Sequence, residues 1–155
     1  MPSYLGIDPG ASGGFCLLED GGVVRLTPMP KAIKGICNVF EHWYYASEAL
    51  LEKVGGYLPK SEGNIGSAMF QFGRSYGRLE TLLTEWAIPY EEVQPAEWQR
   101  AVGISPRRKS EKKHQYKRRI KEQAITLFPG VKGITLNTCD ALLIALYCRM
   151  KHGKE

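Results

Sequence analysis

No apolar run in this chain approaches the length of about eighteen residues that a membrane span needs. The opening residues, "MPSYLGIDPG", lack the basic head and apolar stretch of a secretory leader. The four cysteines, Cys16, Cys37, Cys139 and Cys148, stand far apart, with neither paired spacing nor the spacing of a zinc knuckle. They read as reduced thiols of a cytoplasmic protein. The three histidines, His42, His114 and His152, have no partners at ligand spacing. No internal repeat and no low-complexity linker breaks the chain. These absences exclude a membrane-spanning protein, a disulfide scaffold and a structural zinc module, and they leave one soluble domain over residues 1–155 as the expectation.

What is present is charge, unevenly placed. The net charge is +5, yet residues 106–122, "PRRKSEKKHQYKRRIKE", carry nine Lys and Arg against only Glu111 and Glu122. That segment alone holds +7, so the remainder is slightly acidic. Such a block is either a solvated surface or the seat of a polyanion. It runs into "RIKEQAITLFPG", where Ile120, Ala124, Leu127 and Phe128 recur at helical spacing, so it belongs to a folded helix. A basic helix anchored to a core favours a nucleic-acid backbone as partner, with Lys109, Lys112, Lys113 and Arg118 as candidate phosphate contacts.

Three short β-type runs open the chain: "YLGI", "GGFCLLED" and "VVRLTPMP". Gly-rich turns separate them, so they are expected to pair antiparallel. "AIKGICNVFEHWYYAS" is spaced for a helix. Residues 49–54, "ALLEKV", suit a buried strand or the tail of that helix, and periodicity cannot decide between them. Met69, Phe72, Tyr76, Leu79, Leu83 and Trp86 mark a helix through "SAMFQFGRSYGRLETLLTEWAI". "PYEEVQ" reads as a strand, Pro95 opens a short helix, and "TCDALLIALYCRMKHG" closes the chain as a last helix. The alternation predicts an α/β domain with a mixed sheet.

Three acids lie at the polar ends of apolar elements: Asp8 after "YLGI", Glu52 after "ALL", and Asp140 before "ALLIALY". Singly, each has a plain reading, as turn residue, surface charge or helix cap. Together they suggest a carboxylate cluster for Mg²⁺ or Mn²⁺, hard cations that prefer oxygen ligands. Two such ions roughly 4 Å apart can activate water and stabilise the leaving oxygen in phosphodiester cleavage. Gly10, Gly13 and Gly14 would let a polynucleotide backbone come close.

"LGIDPGASGGFCLL" resembles the first strand and turn of the RuvC-type Holliday junction resolvases of the ribonuclease H-like superfamily. "LLEKV" resembles their second acidic motif. "MFQFGRSYGRLETLL", "IPYEEVQPAEWQRAVG", "LFPG" and "CDALLIALY" are similar, in order, to the phage-type branch. The resemblance implies a five-stranded mixed sheet flanked by helices, a homodimer, and Mg²⁺-dependent nicking of two symmetric strands at a four-way DNA junction. It gives Asp8 the first-acid role bridging two metals, Glu52 the second and Asp140 the last. It also implies a catalytic lysine on the basic helix, for which Lys117 fits best and Lys113 is the alternative.

Three residues before the last acid, where many members carry another acid, stands Asn137. Its amide oxygen can ligate a metal but adds no charge. That leaves three readings: a natural variant working with three carboxylates, an engineered inactive nuclease, or a junction binder without activity. The presence of all three acids favours the first. A ribonuclease H-like nuclease acting on other nucleic acids is a further alternative. The resemblance also places a junction wedge in the loop after the second acid, where Tyr57 and Leu58 lie. Arg74 and Arg78, four apart on one helix, are candidate phosphate contacts. His114, inside the basic run, is the one histidine worth testing.

Overall fold

A computed structural model of the protein describes residues 1–22, 24–53 and 65–153. Five strands form one sheet: β1 (Ser3–Asp8), β2 (Gly14–Glu19), β3 (Val24–Pro28), β4 (Glu48–Glu52) and β5 (Tyr90–Val93). Their order is β3-β2-β1-β4-β5. β1 pairs antiparallel with β2, and β2 with β3, as the glycine turns imply. β1, β4 and β5 run parallel. Five helices accompany the sheet among the described residues: α1 (Ile33–Trp43), α2 (Ile65–Glu85), α3 (Pro95–Ala101), α4 (Lys113–Leu127) and α5 (Cys139–His152).

The segment that periodicity left open, residues 49–54, contributes the strand β4. It lies between β1 and β5 with Ala49, Leu50 and Leu51 buried, and a strand covered on both faces shows a continuous apolar run rather than alternation. β1 is the central strand, and all six of its residues are buried.

Side-chain alternation divides the core into two layers. Leu5, Ile7, Phe15, Leu17 and Leu51 pack against Ile36 and Phe40 of α1 and Leu79 and Leu83 of α2. On the other face, Tyr4, Cys16, Leu18 and Leu50 meet Trp98 of α3, Ile120 and Ala124 of α4, and α5. α5 is apolar nearly all round, as a central helix should be. It sits directly on Gly6 of β1, where an added Cβ would stand only 2.2 Å from the Ala141 carbonyl and 2.4 Å from the Ala145 nitrogen.

The basic run is not helical throughout. α4 begins only at Lys113, so Arg107, Arg108 and Lys109 lie before it. Glu111 gathers that segment: the Arg107 Nε donates to its carbonyl at 2.9 Å, and Arg119 Nη2 reaches its carboxylate at 3.0 Å. The Lys112 amide donates to the Gln115 side chain at 2.8 Å and starts the helix there. In α2 the predicted stripe is buried only in part. Leu79 and Leu83 are enclosed, whereas Met69, Phe70 and Trp86 are exposed. No described helix is long and apolar enough to cross a membrane.

Candidate metal centre

Asp8 ends β1, Glu52 ends β4 and Asp140 stands in the first turn of α5. The parallel register pairs Gly6 with Leu50 and Ile7 with Leu51, which brings the next two residues, Asp8 and Glu52, abreast at the strand ends. By the two-residue period of a strand, both point to the face that α5 covers. The close approach of α5 over Gly6 then brings Asp140 down upon them. One carboxylate oxygen from each residue lies within 4.8 Å of the others.

The charges in this cluster do not balance. The Lys117 ammonium donates to Asp140 Oδ2 at 3.0 Å. It is the single cation in contact with the three acids among the described residues. Burial, then the Asp140 and Glu52 carboxylates, push the Asp8 carboxyl up to about 8, against the pull of Lys117. Burial also raises Glu52, to about 7, although its hydrogen bond from Trp98 favours the charged form and the Asp140 charge opposes it. For Lys117, burial works to lower the pKa, and the carboxylate of Asp140, helped by Asp8, outweighs it, so the ammonium is held. Crowded carboxylates that resist ionisation in this way are relieved by a divalent cation, and an all-oxygen donor set suits Mg²⁺, Mn²⁺ or Ca²⁺ better than softer metals. The residues therefore fit a hard metal ion.

Two supporting contacts lay outside the sequence reading. The fully buried Trp98 donates its indole N–H to Glu52 Oε2 at 2.6 Å, fixing the orientation of that carboxylate. The Cys139 thiol, kept protonated by burial, donates to Asp140 Oδ1 at 3.4 Å. A buried indole needs an acceptor, and that was the one available hint to Trp98.

The remaining candidates divide. Asn137 is exposed and lies in the turn before Thr138, the N-cap of α5. It shares a cavity of about 440 Å³ with Lys113, Lys117, His114 and Ser12, and Lys117 links that cavity to the cluster. Lys109, Lys112, Lys113 and Arg118 are exposed on the α4 side. Arg74 is exposed on α2, which packs on the other face of the sheet. Tyr57 and Leu58 lie outside the described residues. The glycines of the first turn are required by the protein's own packing. A Cβ on Gly13 would fall 2.0 Å from the Asp8 carbonyl, and one on Gly14 would fall 2.7 Å from that of Thr27. Gly10 holds φ at +102°, a conformation that favours glycine.

The sheet order, the flanking helices and the acids at the strand ends define a ribonuclease H-like fold of the RuvC type. Two solved structures carry the comparison. "T. thermophilus RuvC in complex with Holliday junction substrate" superposes with a TM-score of 0.60 at 15% identity, over 99% of this chain and 97% of that one. A second Thermus thermophilus RuvC structure gives 0.59 at 20% identity, over 96% of each chain. No protein-family model matches the chain, and no curated protein sequence does.

Proposed function

We propose that this protein is a divalent-metal-dependent endodeoxyribonuclease that resolves four-way (Holliday) or branched DNA junctions. The observation that carries the reading is the convergence of Asp8, Glu52 and Asp140 within 4.8 Å, beside Lys117, in a RuvC-type fold. In this reading the three carboxylates hold Mg²⁺, with Mn²⁺ as a substitute, and Asn137 adds an amide oxygen. When bound, a pair of such ions supplies an activated water and neutralises charge at the leaving oxygen. Trp98 keeps Glu52 facing inward. Lys117 keeps its proton and offers positive charge to the scissile phosphate, where charge builds in the transition state. Lys109, Lys112, Lys113 and Arg118 hold the flanking backbone on one side and Arg74 on the other, with Tyr57 as the candidate wedge at the branch point.

The chain acts as one domain and as a homodimer, placing two centres on symmetric strands. Met69 and Phe70, exposed on the first half of α2, supply an apolar surface suited to a second copy. The order of the motifs favours the phage-type branch and a DNA-associated place in the cytoplasm of a bacterial or phage-infected cell. The test is nicking of a synthetic four-way junction in Mg²⁺ or Mn²⁺, beside a linear duplex of the same sequence. Paired symmetric nicks on the junction are expected, and Asp8→Asn should reduce them by about a thousandfold or more. Tight junction binding without nicks in either metal identifies a binding protein, and equal cleavage of the duplex identifies a general nuclease.

A further inference from the structure

The first turn of the chain separates two hollows. Ser12 faces the cavity of Lys113, Lys117 and Asn137 described above. Gly10 and Ala11 instead form the wall of a narrower cavity of about 160 Å³ on the α1–α2 side of the sheet. Its polar groups are Lys31, Ser75 and Arg78, set against apolar Leu79, and no carboxylate lines it. Among the described residues, neither Lys31 nor Arg78 enters an ion pair. α2 packs closely on the turn here, since a Cβ on Gly10 would meet the Phe72 ring at 3.4 Å.

Two cations and a hydroxyl around an acid-free hollow form a receptor for an oxyanion. Gly10 follows Asp8 by two residues, so the cavity wall lies within roughly 7 Å of the Asp8 backbone. A strand passing from the carboxylate cluster over this turn carries its next phosphates on the same length scale, at roughly 3.4 Å of rise per nucleotide. We infer that the cavity of Lys31, Ser75 and Arg78 is a phosphodiester subsite that seats the cleaved strand one or two nucleotides from the carboxylate cluster. The inference rests on the nucleic-acid reading above. The strand crosses the first turn, with one phosphate beside Lys113 and Lys117 and another between Lys31 and Arg78. Lys31 and Arg78 are positioning residues: they set which phosphate reaches the acids and take no part in the chemistry.

The test measures binding of a labelled four-way junction in EDTA across a salt series, then maps nick positions in Mg²⁺. Lys31→Ala and Arg78→Ala should each flatten the slope of log affinity against log salt by about one, with a three- to tenfold loss of affinity at 0.1 M salt. Their nicks should scatter over neighbouring positions. Arg78→Lys, which keeps the charge, should restore the slope and so separate lost charge from lost fold. Lys34→Ala removes an exposed charge of α1 outside the cavity and should change the slope by less than half as much. The subsite is overturned if Lys34→Ala matches the other two, or if Lys31→Ala and Arg78→Ala leave slope and nick position unchanged while the wild type nicks. If the wild type never nicks but the slopes change as stated, the nuclease reading fails and the subsite stands. Absence of junction binding by the wild type overturns both.

Discussion

The two ends of α5 carry the same pair of charges in opposite settings. At the N-terminal end, Asp140 accepts from Lys117 at 3.0 Å, and the carboxylate is almost wholly enclosed. At the C-terminal end, Lys151 reaches Glu91 at 2.5 Å, His152 Nε2 lies 3.6 Å from the same carboxylate, and both Lys151 and Glu91 are exposed. Both ends suit the helix dipole, with an acid in the first turn and bases in the last. The difference lies in what surrounds each pair. Glu91 has two basic neighbours and solvent, so its charge is balanced. Asp140 shares its lysine with Asp8 and Glu52, leaving an excess of negative charge where water cannot disperse it. An ion pair alone therefore says little about function, and the uncompensated charge around it says much.

The contrast can be broken most severely at Gly6. Gly6→Ala puts a methyl group against the Ala141 and Ala145 backbone, so α5 must lift away from β1 and carry Asp140 with it. A loss of roughly 3 kcal/mol in urea unfolding is expected, together with loss of metal binding. A stability change under 1 kcal/mol would show that α5 does not hold the cluster in the way described.

Acidity sharpens the same contrast. Asp8 and Glu52 have folded-state values near 8 and 7, above the ordinary 3.8 and 4.5. Raised carboxyl values mean that the cost of ionising them in the fold is absent below about pH 4 and complete above about pH 8. The metal-free protein should thus lose stability as pH rises through that window, by a shift in Tm of roughly 10 °C or more, and Asp8→Asn should remove most of the slope. Mg²⁺ affinity should run the other way, rising from pH 6 to pH 8.5 with release of protons, as calorimetry in two buffers would report.

A smaller effect is expected at Trp98. Trp98→Phe keeps most of the packing but removes the donor to Glu52, so metal affinity should fall by about tenfold with the fold intact. Unchanged affinity would reduce that hydrogen bond to a structural detail. Smallest of all is Lys151→Ala at the exposed end, which should change stability by less than about 1 kcal/mol and leave junction cleavage untouched.

Much of this site was legible before any coordinates. Asp8, Glu52 and Asp140 stand out because each interrupts an apolar element at its end, and the chain places such ends at the rim of a sheet. Lys117 came from the family resemblance, with Lys113 beside it, and the contact with Asp140 is what sets Lys117 apart. Two things were not legible. The partnership of Trp98 with Glu52 joins residues 46 apart, and no local spacing encodes it. The glycines invited a ligand because close approach of backbone is a tertiary fact: Gly13 and Gly14 yield space to Asp8 and Thr27, and Gly6, which drew no notice, seats the helix that carries Asp140. The break in the basic run before α4 was not legible for a related reason. Charge density runs evenly through residues 106–122, and only the folded contacts of Glu111 divide it.

Arg119 shows that the cations of this segment are not interchangeable. Its guanidinium is spent inside the molecule, on Ser105, Pro106 and Glu111, with the plane 5.0 Å above the Tyr116 ring. It acts as a rivet between α4 and the segment before it, since Glu111 also takes a hydrogen bond from Arg107. If the nucleic-acid reading proposed above holds, one positive charge kept within the molecule orders the segment that its neighbours present, and less disorder is left to quench on binding.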